Sequence, residues 1–281
     1  MWRWLLSGYF FRYAPIEDMV CACRYAHVDE VEIFDGQIAP LSPARQHDFK
    51  QALEDFGVRA SSYHLPLDES ADISHLDEPM RLMALDRARK SLDWAAMLGC
   101  ETAVLHPTCS MRGHAPEEVS DQLHFLLESL FALLPFAAQS GITLALENMA
   151  PAPDGERLGS KPEHFVPIQD AFPDLRYCLD TGHAAMAFGP DRMDTFARAF
   201  ADRIALCHLS DNAGDRDSHL APGRGLINWP AFFRAMDKQT APPLLCIEAP
   251  PFAPGPRYAP ETWRDMVAQT RTLTSNDMVP A

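Results

Sequence analysis

Tyr177-Cys178-Leu179-Asp180-Thr181-Gly182-His183 is a short apolar run that ends in a carboxylate, with an imidazole three residues later, after a glycine. A run of that length reads as a buried strand, and its polar pair sits where the strand leaves the core. Asp and His are both common ligands of divalent metals. One pair alone carries little weight, but the pattern repeats. Ser61-Ser62-Tyr63-His64, Ala103-Val104-Leu105-His106 and Ala205-Leu206-Cys207-His208 end in His; Leu144-Ala145-Leu146-Glu147 and Leu245-Cys246-Ile247-Glu248 end in Glu.

These runs alternate with longer helical patterns. Strands are expected at 5–11, 30–34, 59–64, 102–106, 142–147, 176–180, 204–208 and 244–248. Helices are expected between and after them, including 15–27, 43–56, 77–98, 116–140, 191–201, 229–238 and 261–273. Such alternation argues for a parallel sheet, and eight units in 281 residues argue for a (β/α)8 TIM barrel, one domain spanning 1–281. An open doubly wound sheet would carry a glycine-rich dinucleotide turn after its first strand, and none is present.

Composition narrows the setting. Hydrophobic residues make up 47%, enough for a large core, and no run reaches the roughly 18 apolar residues of a membrane span. The apolar start is interrupted by Arg12 and Glu17, which argues against a secretory signal. The seven cysteines are an odd number, three of them inside strand-like runs, so a reducing cytoplasm is the expected location. A net charge of −15 disfavours nucleic acid and anionic membranes as partners without excluding a local basic patch.

In a barrel the carboxyl ends of the strands converge on one face. His64, His106, Glu147, Asp180, His208 and Glu248 meet there, and the loops after strands six and seven add His183, Asp217 and His219. Without a cation the carboxylates of such a set would repel one another and shift their pKa values. Mixed N and O ligands suit zinc, manganese, cobalt or iron(II), with one ion expected and up to three accommodated. His27, His47, His75, His114, His124 and His164 lie away from strand ends and read as surface residues. Asp68, Glu69 and Asp72 read as a solvated acidic loop.

The motifs Leu146-Glu147-Asn148, Leu179-Asp180-Thr181-Gly182-His183-Ala184, His208-Leu209-Ser210-Asp211-Asn212, Asp217-Ser218-His219 with Pro222-Gly223-Arg224-Gly225, and Ile247-Glu248-Ala249-Pro250 carry a resemblance. The chain resembles, over nearly its whole length, the xylose-isomerase-like barrel superfamily of sugar isomerases and epimerases, inosose-type enzymes and endonuclease IV. For a sugar epimerase the resemblance implies one divalent metal on Glu147, Asp180, His208 and Glu248, with the two glutamates as the acid–base pair. For endonuclease IV it implies three zinc ions held by those four together with His64, His106, His183, Asp217 and His219. All nine residue types are in place. Arg224 departs from a glycine-rich loop that usually carries Glu there, and sugar enzymes of the group often carry Arg where His219 falls. Asp35, Asp68, Glu69 and Asp72 stand on early loops, where acids would face the phosphates of DNA.

Two activities are thus expected in competition, with a merely ligand-binding barrel as a third reading. The favoured one is a metal-dependent isomerase or epimerase of a small sugar, sugar phosphate or cyclitol, working through an enediolate with Glu147 and Glu248 moving the proton and His183 orienting substrate oxygens. The alternative is a trinuclear-zinc phosphodiesterase. Arg157, Lys161, Arg216 and Arg224, in the two long loops, are candidates to bind a substrate carboxylate or phosphate. The sequence leaves a homo-oligomer open.

Overall fold

Each strand of this chain has two faces, and the period of two decides what lines the barrel. The computed structural model describes residues 2–192, 194–251 and 259–274. Among these, eight strands run parallel: β1 (Arg3–Ser7), β2 (Glu30–Phe34), β3 (Arg59–His64), β4 (Thr102–Leu105), β5 (Thr143–Glu147), β6 (Arg176–Asp180), β7 (Ile204–Leu209) and β8 (Leu244–Ile247). They pair in sequence order, and β8 pairs back onto β1 with Cys246 beside Leu5, closing the barrel. The expected (β/α)8 barrel is the observed fold. Residues 1, 193, 252–258 and 275–281 of the expected domain lie outside the described residues.

The helices are α1 (Ile16–Ala26), α2 (Asp35–Ile38), α3 (Pro43–Asp55), α4 (Glu78–Leu98), α5 (Pro116–Gln139), α6 (Val166–Ala171), α7 (Thr181–Phe188), α8 (Asp194–Phe200), α9 (Trp229–Met236) and α10 (Pro260–Thr272). Their ends follow local chemistry. Pro sits in the first turn of α3, α4, α5 and α10, where its missing N–H is not needed. Asp77 caps α4 by accepting from Met80 N, and Gly99 ends it in a left-handed conformation. No helix among the described residues is long and apolar enough to cross a membrane. All seven cysteines are unpaired.

Outward residues such as Leu6, Val31, Ile33, Leu144, Leu146, Leu179, Leu209 and Ile247 pack against the helices in one large core. Inward residues Leu5, Val104, Ala145, Cys178, Leu206, Leu244 and Cys246 form a second, smaller core inside the barrel. Moving two residues along from Val104, Ala145, Cys178, Leu206 and Cys246 leads to His106, Glu147, Asp180, His208 and Glu248. The parity that buries the small core thus aims these five polar side chains into the same axis, one layer higher.

Two expected elements differ. The first strand ends at Ser7 rather than Phe11, because Ser7 Oγ accepts from Tyr9 N and turns Gly8–Phe11 into a short 3₁₀ helix. Asp180 does not lead into a loop but caps α7, its Oδ1 accepting from His183 N at 2.6 Å. Met193, inside the helix expected at 191–201, lies outside the described residues.

At the opposite end of the barrel Glu30 joins three strands. Its carboxylate accepts from Arg3 Nη2 at 2.6 Å, from Arg59 Nη2 at 2.9 Å and from Ser61 Oγ at 2.5 Å. Burial works against its charge, but Arg3, Ser61 and Arg59 outweigh burial and hold the carboxyl below its ordinary value of 4.5. A carboxyl whose folded pKa is depressed stabilises the fold above its unfolded pKa, and that contribution is lost as pH falls through the folded value. Glu30→Gln is therefore expected to cost about 1–3 kcal/mol near neutral pH. In urea titrations the gap between variant and wild type should narrow below pH 4.5. A gap unchanged by acid would show that Glu30 contributes through packing alone.

Candidate metal centre

Glu147 from β5, Asp180 from β6, His208 from β7 and Glu248 at the end of β8 each bring one ligand atom within 4.8 Å of the other three, and all four are buried. His208 Nδ1 lies 3.1 Å from Glu248 Oε2 and 3.4 Å from Glu147 Oε1. Three atoms here are sealed from solvent and make no hydrogen bond: Glu147 Oε2, Asp180 Oδ2 and His208 Nδ1. Buried polar atoms are rarely left so. Orphaned acceptors gathered around one point are the donor set a divalent cation needs, so the residues present fit a metal.

The backbone holds this set rigidly. Asn148 clamps β5 to β6, its Oδ1 accepting from Asp180 N at 2.8 Å and its Nδ2 donating to Asp180 O at 3.0 Å. Thr181 Oγ1 donates to Ser210 O at 2.7 Å and so ties the start of α7 to the end of β7. Gly182 packs so closely on Ser210 and Asn212 that a Cβ would strike the Ser210 hydroxyl.

The other five residues form a ring around the four. Glu147 Oε2 faces His106 Nε2 at 3.4 Å and His64 Nε2 at 3.6 Å. Asp217 Oδ2 lies 3.3 Å from His183 Nε2 and 3.2 Å from His219 Nε2. His64, His183 and His219 each hold Nδ1 on a main-chain carbonyl, of Leu65, Asn148 and Glu248. That contact fixes the ring and leaves Nε2 as the working atom. All nine expected residues thus meet at one end of the barrel. An extended Asp217–His219 segment would have placed both side chains on one edge, but His219 has a left-handed φ of 43°. A turn, not a strand, brings the two together.

Charge in the pocket is balanced by protons on the imidazoles. Burial alone would discharge Glu147, yet His208 foremost holds its carboxyl well below the ordinary range. Asp180 goes the other way: burial, then Glu147, Glu248 and Asp217, raise it to about 7 against the pull of His183. Burial resists charge on His183 and His219, but Asp180 and Asp217 lift the first to about 10, and Asp217 and Glu248 lift the second to about 11. His106 is kept neutral by burial, down to about 4. A bound cation would take over the neutralising role of these protons.

Sequence reasoning missed Glu32. It lies inside the barrel, fully buried, and accepts from Ser62 Oγ at 2.7 Å. Its Oε1 is 3.0 Å from His208 Nε2 and 3.8 Å from Cys246 Sγ. The signal was present in the second strand, Glu-Val-Glu-Ile-Phe: Val31 and Ile33 face the helices, so a Glu between them must point inward. Glu32 fixes the His208 ring so that Nδ1 faces the carboxylates.

Several other expectations change. Asp35 and Asp72 do not face outward. Asp35 is buried and accepts from Tyr63 Oη and Ser91 Oγ; Asp72 is buried and accepts from Ser74 and Thr108. Both complete buried hydroxyl networks rather than facing solvent; Asp68 and Glu69 remain exposed as expected, Asp68 paired with Arg87. His164 is no surface residue but is buried between Gly159 N and Glu156. His114 is half-buried, with its Nε2 hydrogen-bonded to Ser110 Oγ at 2.9 Å. Of the cationic candidates, Lys161 pairs with Glu156 at 2.6 Å, Arg224 donates to Gln269 on the surface, Arg216 is exposed, and Arg157 is buried.

The xylose isomerase-like TIM barrel family matches residues 22–271. The chain belongs to this family. An uncharacterized protein of Methanocaldococcus jannaschii is 28% identical over 212 residues, covering 74% of this chain and 76% of that one. A probable endonuclease 4 of Solibacter usitatus is 31% identical over 204 residues, covering 66% and 68%. Among solved structures, a D-psicose 3-epimerase superposes with a TM-score of 0.79 at 15% identity, over 97% of this chain and 99% of that one. A D-tagatose 3-epimerase-like protein gives 0.76 at 21%, over 97% and 98%. At these identities the superpositions speak for the fold.

For this xylose isomerase-like barrel, Glu32→Gln keeps the shape of the side chain and removes the charge behind His208. Metal affinity is expected to fall by about 10- to 100-fold with the melting transition preserved. Competition against a chromogenic chelator measures it. Unchanged affinity would mean that Glu32 has no hold on the metal-facing nitrogen.

Proposed function

We propose that this protein is a divalent-metal-dependent isomerase or epimerase of a small sugar or sugar-like substrate, working in the reducing cytoplasm. The observation that carries the reading is the placement of Glu147 and Glu248. They reach the pocket from β5 and β8 and flank one ring nitrogen of His208 at 3.4 and 3.1 Å. Two carboxylates on two sides of one cation site are what a carbon acid needs to lose a proton from one face and regain it on the other. The aromatic wall at the mouth supports a sugar. Tyr9 stands edge-on to Phe34 and to Phe10 and lies near His219, with the Arg12 guanidinium 4.0 Å from its ring centre, so the wall is built of ring edges and stacked rings.

Bound between Glu147, Asp180, His208 and Glu248, a divalent cation supplies Lewis acidity toward a carbonyl and its neighbouring hydroxyl. The chain does the rest. Glu147 or Glu248 takes the proton from the carbon next to the carbonyl, and its opposite number returns one. Asp180 caps α7 through Oδ1, which accepts from His183 N, and keeps Oδ2 for the cation. His183, clamped on Asn148, orients substrate oxygens at the rim. The helices and the small inner core keep bulk water from the carboxylates.

A second reading, a multi-zinc phosphodiesterase, is supported by His64 and His106 facing the far oxygen of Glu147, by Asp217 between His183 and His219, and by the likeness to a probable endonuclease 4. Metal counting separates the two. One equivalent per chain is expected, and it should be kept in His219→Arg; three equivalents, with one lost in that variant, would transfer the assignment to the phosphodiesterase.

Glu147→Gln and Glu248→Gln should each lower turnover by more than about 100-fold while the fold is retained, since each removes both a ligand and a proton carrier. In deuterated water the wild type should place deuterium at the carbon beside the carbonyl of a ketose substrate, followed by proton NMR. Turnover near the wild-type level in either variant removes the proton-transfer assignment. Conversion of a confirmed substrate without label points to hydride transfer instead.

A further inference from the structure

The loop that follows β5 is strapped to the loop that follows β4. His114 and Glu156 exchange main-chain hydrogen bonds at 2.8 and 3.0 Å, and Gly113 N donates to Asp154 Oδ1 at 2.7 Å. Glu156, half-buried in this short antiparallel bridge, turns its side chain to the exposed Lys161 and the buried His164. The next residue along an extended segment points to the opposite side. That residue is Arg157, which is only 5% exposed.

A buried guanidinium with five donors ordinarily has a carboxylate. Arg157 has none: among the described residues no carboxylate stands within ion-pair distance of it. Its Nε is sealed from solvent without a partner, and Nη2 rests 3.6 Å from the sulfur of Met111, a weak acceptor. The loop itself is well fixed, since Ser160 Oγ donates to the Arg157 carbonyl at 2.7 Å. Its charge is felt within the metal centre. Burial disfavours the guanidinium; Cys109, then the carboxylates of Glu147, Asp217 and Asp72, act in its favour, and Arg157 in turn adds to the burial that keeps the His106 ring neutral. The protein thus keeps a costly, carboxylate-free guanidinium in the loop beside the ring of carboxylates and imidazoles. The three other cationic candidates lie at the surface.

We propose that Arg157 binds an anionic oxygen group of the substrate, a carboxylate or a phosphate, so that the substrates are acidic sugars or sugar phosphates rather than neutral ones. β5 stands across the eight-stranded ring from β1, which carries Tyr9 and the aromatic wall just beyond its end. The substrate therefore lies across the mouth, with its apolar C–H face toward β1 and its anion toward Arg157. The planar fork of Arg suits a bidentate oxygen pair, whereas lysine offers a point charge.

This inference rests on the isomerase reading, and the test separates the two. Binding of D-fructose, D-fructuronate and D-fructose 6-phosphate to the manganese-loaded protein is measured by calorimetry. At least one of the anionic ketoses should bind the wild type about tenfold or more tighter than fructose, as a charged hydrogen bond is worth. Which of the two gains more identifies carboxylate or phosphate. Arg157→Gln should bring the gain within about threefold of fructose, with fructose affinity and metal content unchanged, and Arg157→Lys should restore part of it. Arg157→Met, which keeps the volume of the stem, serves in place of the glutamine variant should that one not fold. No gain for either anion in the wild type, or a gain that survives neutralisation of Arg157, overturns the proposal. Deuterium uptake reports the parent reading separately: an anion preference that depends on Arg157 but comes without exchange keeps the anion site and removes the isomerase chemistry.

Discussion

Carboxylates crowded into buried space repel one another, and this end of the barrel is arranged around that repulsion. Glu32, Glu147, Asp180 and Glu248 are buried together, with Asp217 at the rim. Five imidazoles are interleaved among them, so that every carboxylate faces at least one ring or a capped main-chain N–H. Four of the rings are in turn pinned from behind, His64, His183 and His219 by main-chain carbonyls and His208 by Glu32. The charged layer costs free energy that only a rigid frame can hold in place. The small inner core beneath it and the Asn148 clamp beside it supply that frame.

The same ring explains why one pocket supports two chemistries. Glu147 uses its two oxygens differently, Oε1 toward His208 and His183, Oε2 toward His64 and His106. The inner half of the ring, with paired glutamates about one histidine, is suited to moving a proton. The outer half, with Asp217 between two histidines, is suited to further cations. Which half dominates depends on what the rim admits. On the proposed reading the aromatic wall and Arg157 there favour a small anionic sugar over a polymer; of the early acids, Asp35 and Asp72 are buried while Asp68 and Glu69 stay exposed.

Legibility in the sequence followed the locality of each cause. β2, β3 and β6 were readable to the residue because a short apolar run bounded by polar residues is a local signal. The convergence of the nine candidate residues was readable because barrel strands end at one face. Glu32 was overlooked, since a glutamate alternating with Val and Ile looks like a solvent-facing strand position until the closure of the expected barrel is applied to that face. Asp35 and Asp72 were misjudged for the same reason, their hydroxyl partners Tyr63, Ser91 and Thr108 being distant in sequence. His183 was placed in a loop because a capping carboxylate that is also a strand terminus gives no separate start signal for α7. Among four cations in two flexible-looking loops, nothing local marked Arg157; its burial comes from the bridge to the neighbouring loop.

That bridge has a bearing on how substrate range could drift within the family. Gly113 and Gly155 meet backbone to backbone, with no room for a Cβ on either. Neither loop can therefore be lengthened or recomposed near this point without the other giving way. The two form one inheritable cassette, about as long as the chain from β4 to the start of α5 together with the arm after β5. Grafting either half alone into a relative would carry over the arginine codon without the seat that buries it. Exchange of the pair would move the arm that carries Arg157 as a unit, leaving the polar ring at the strand ends untouched.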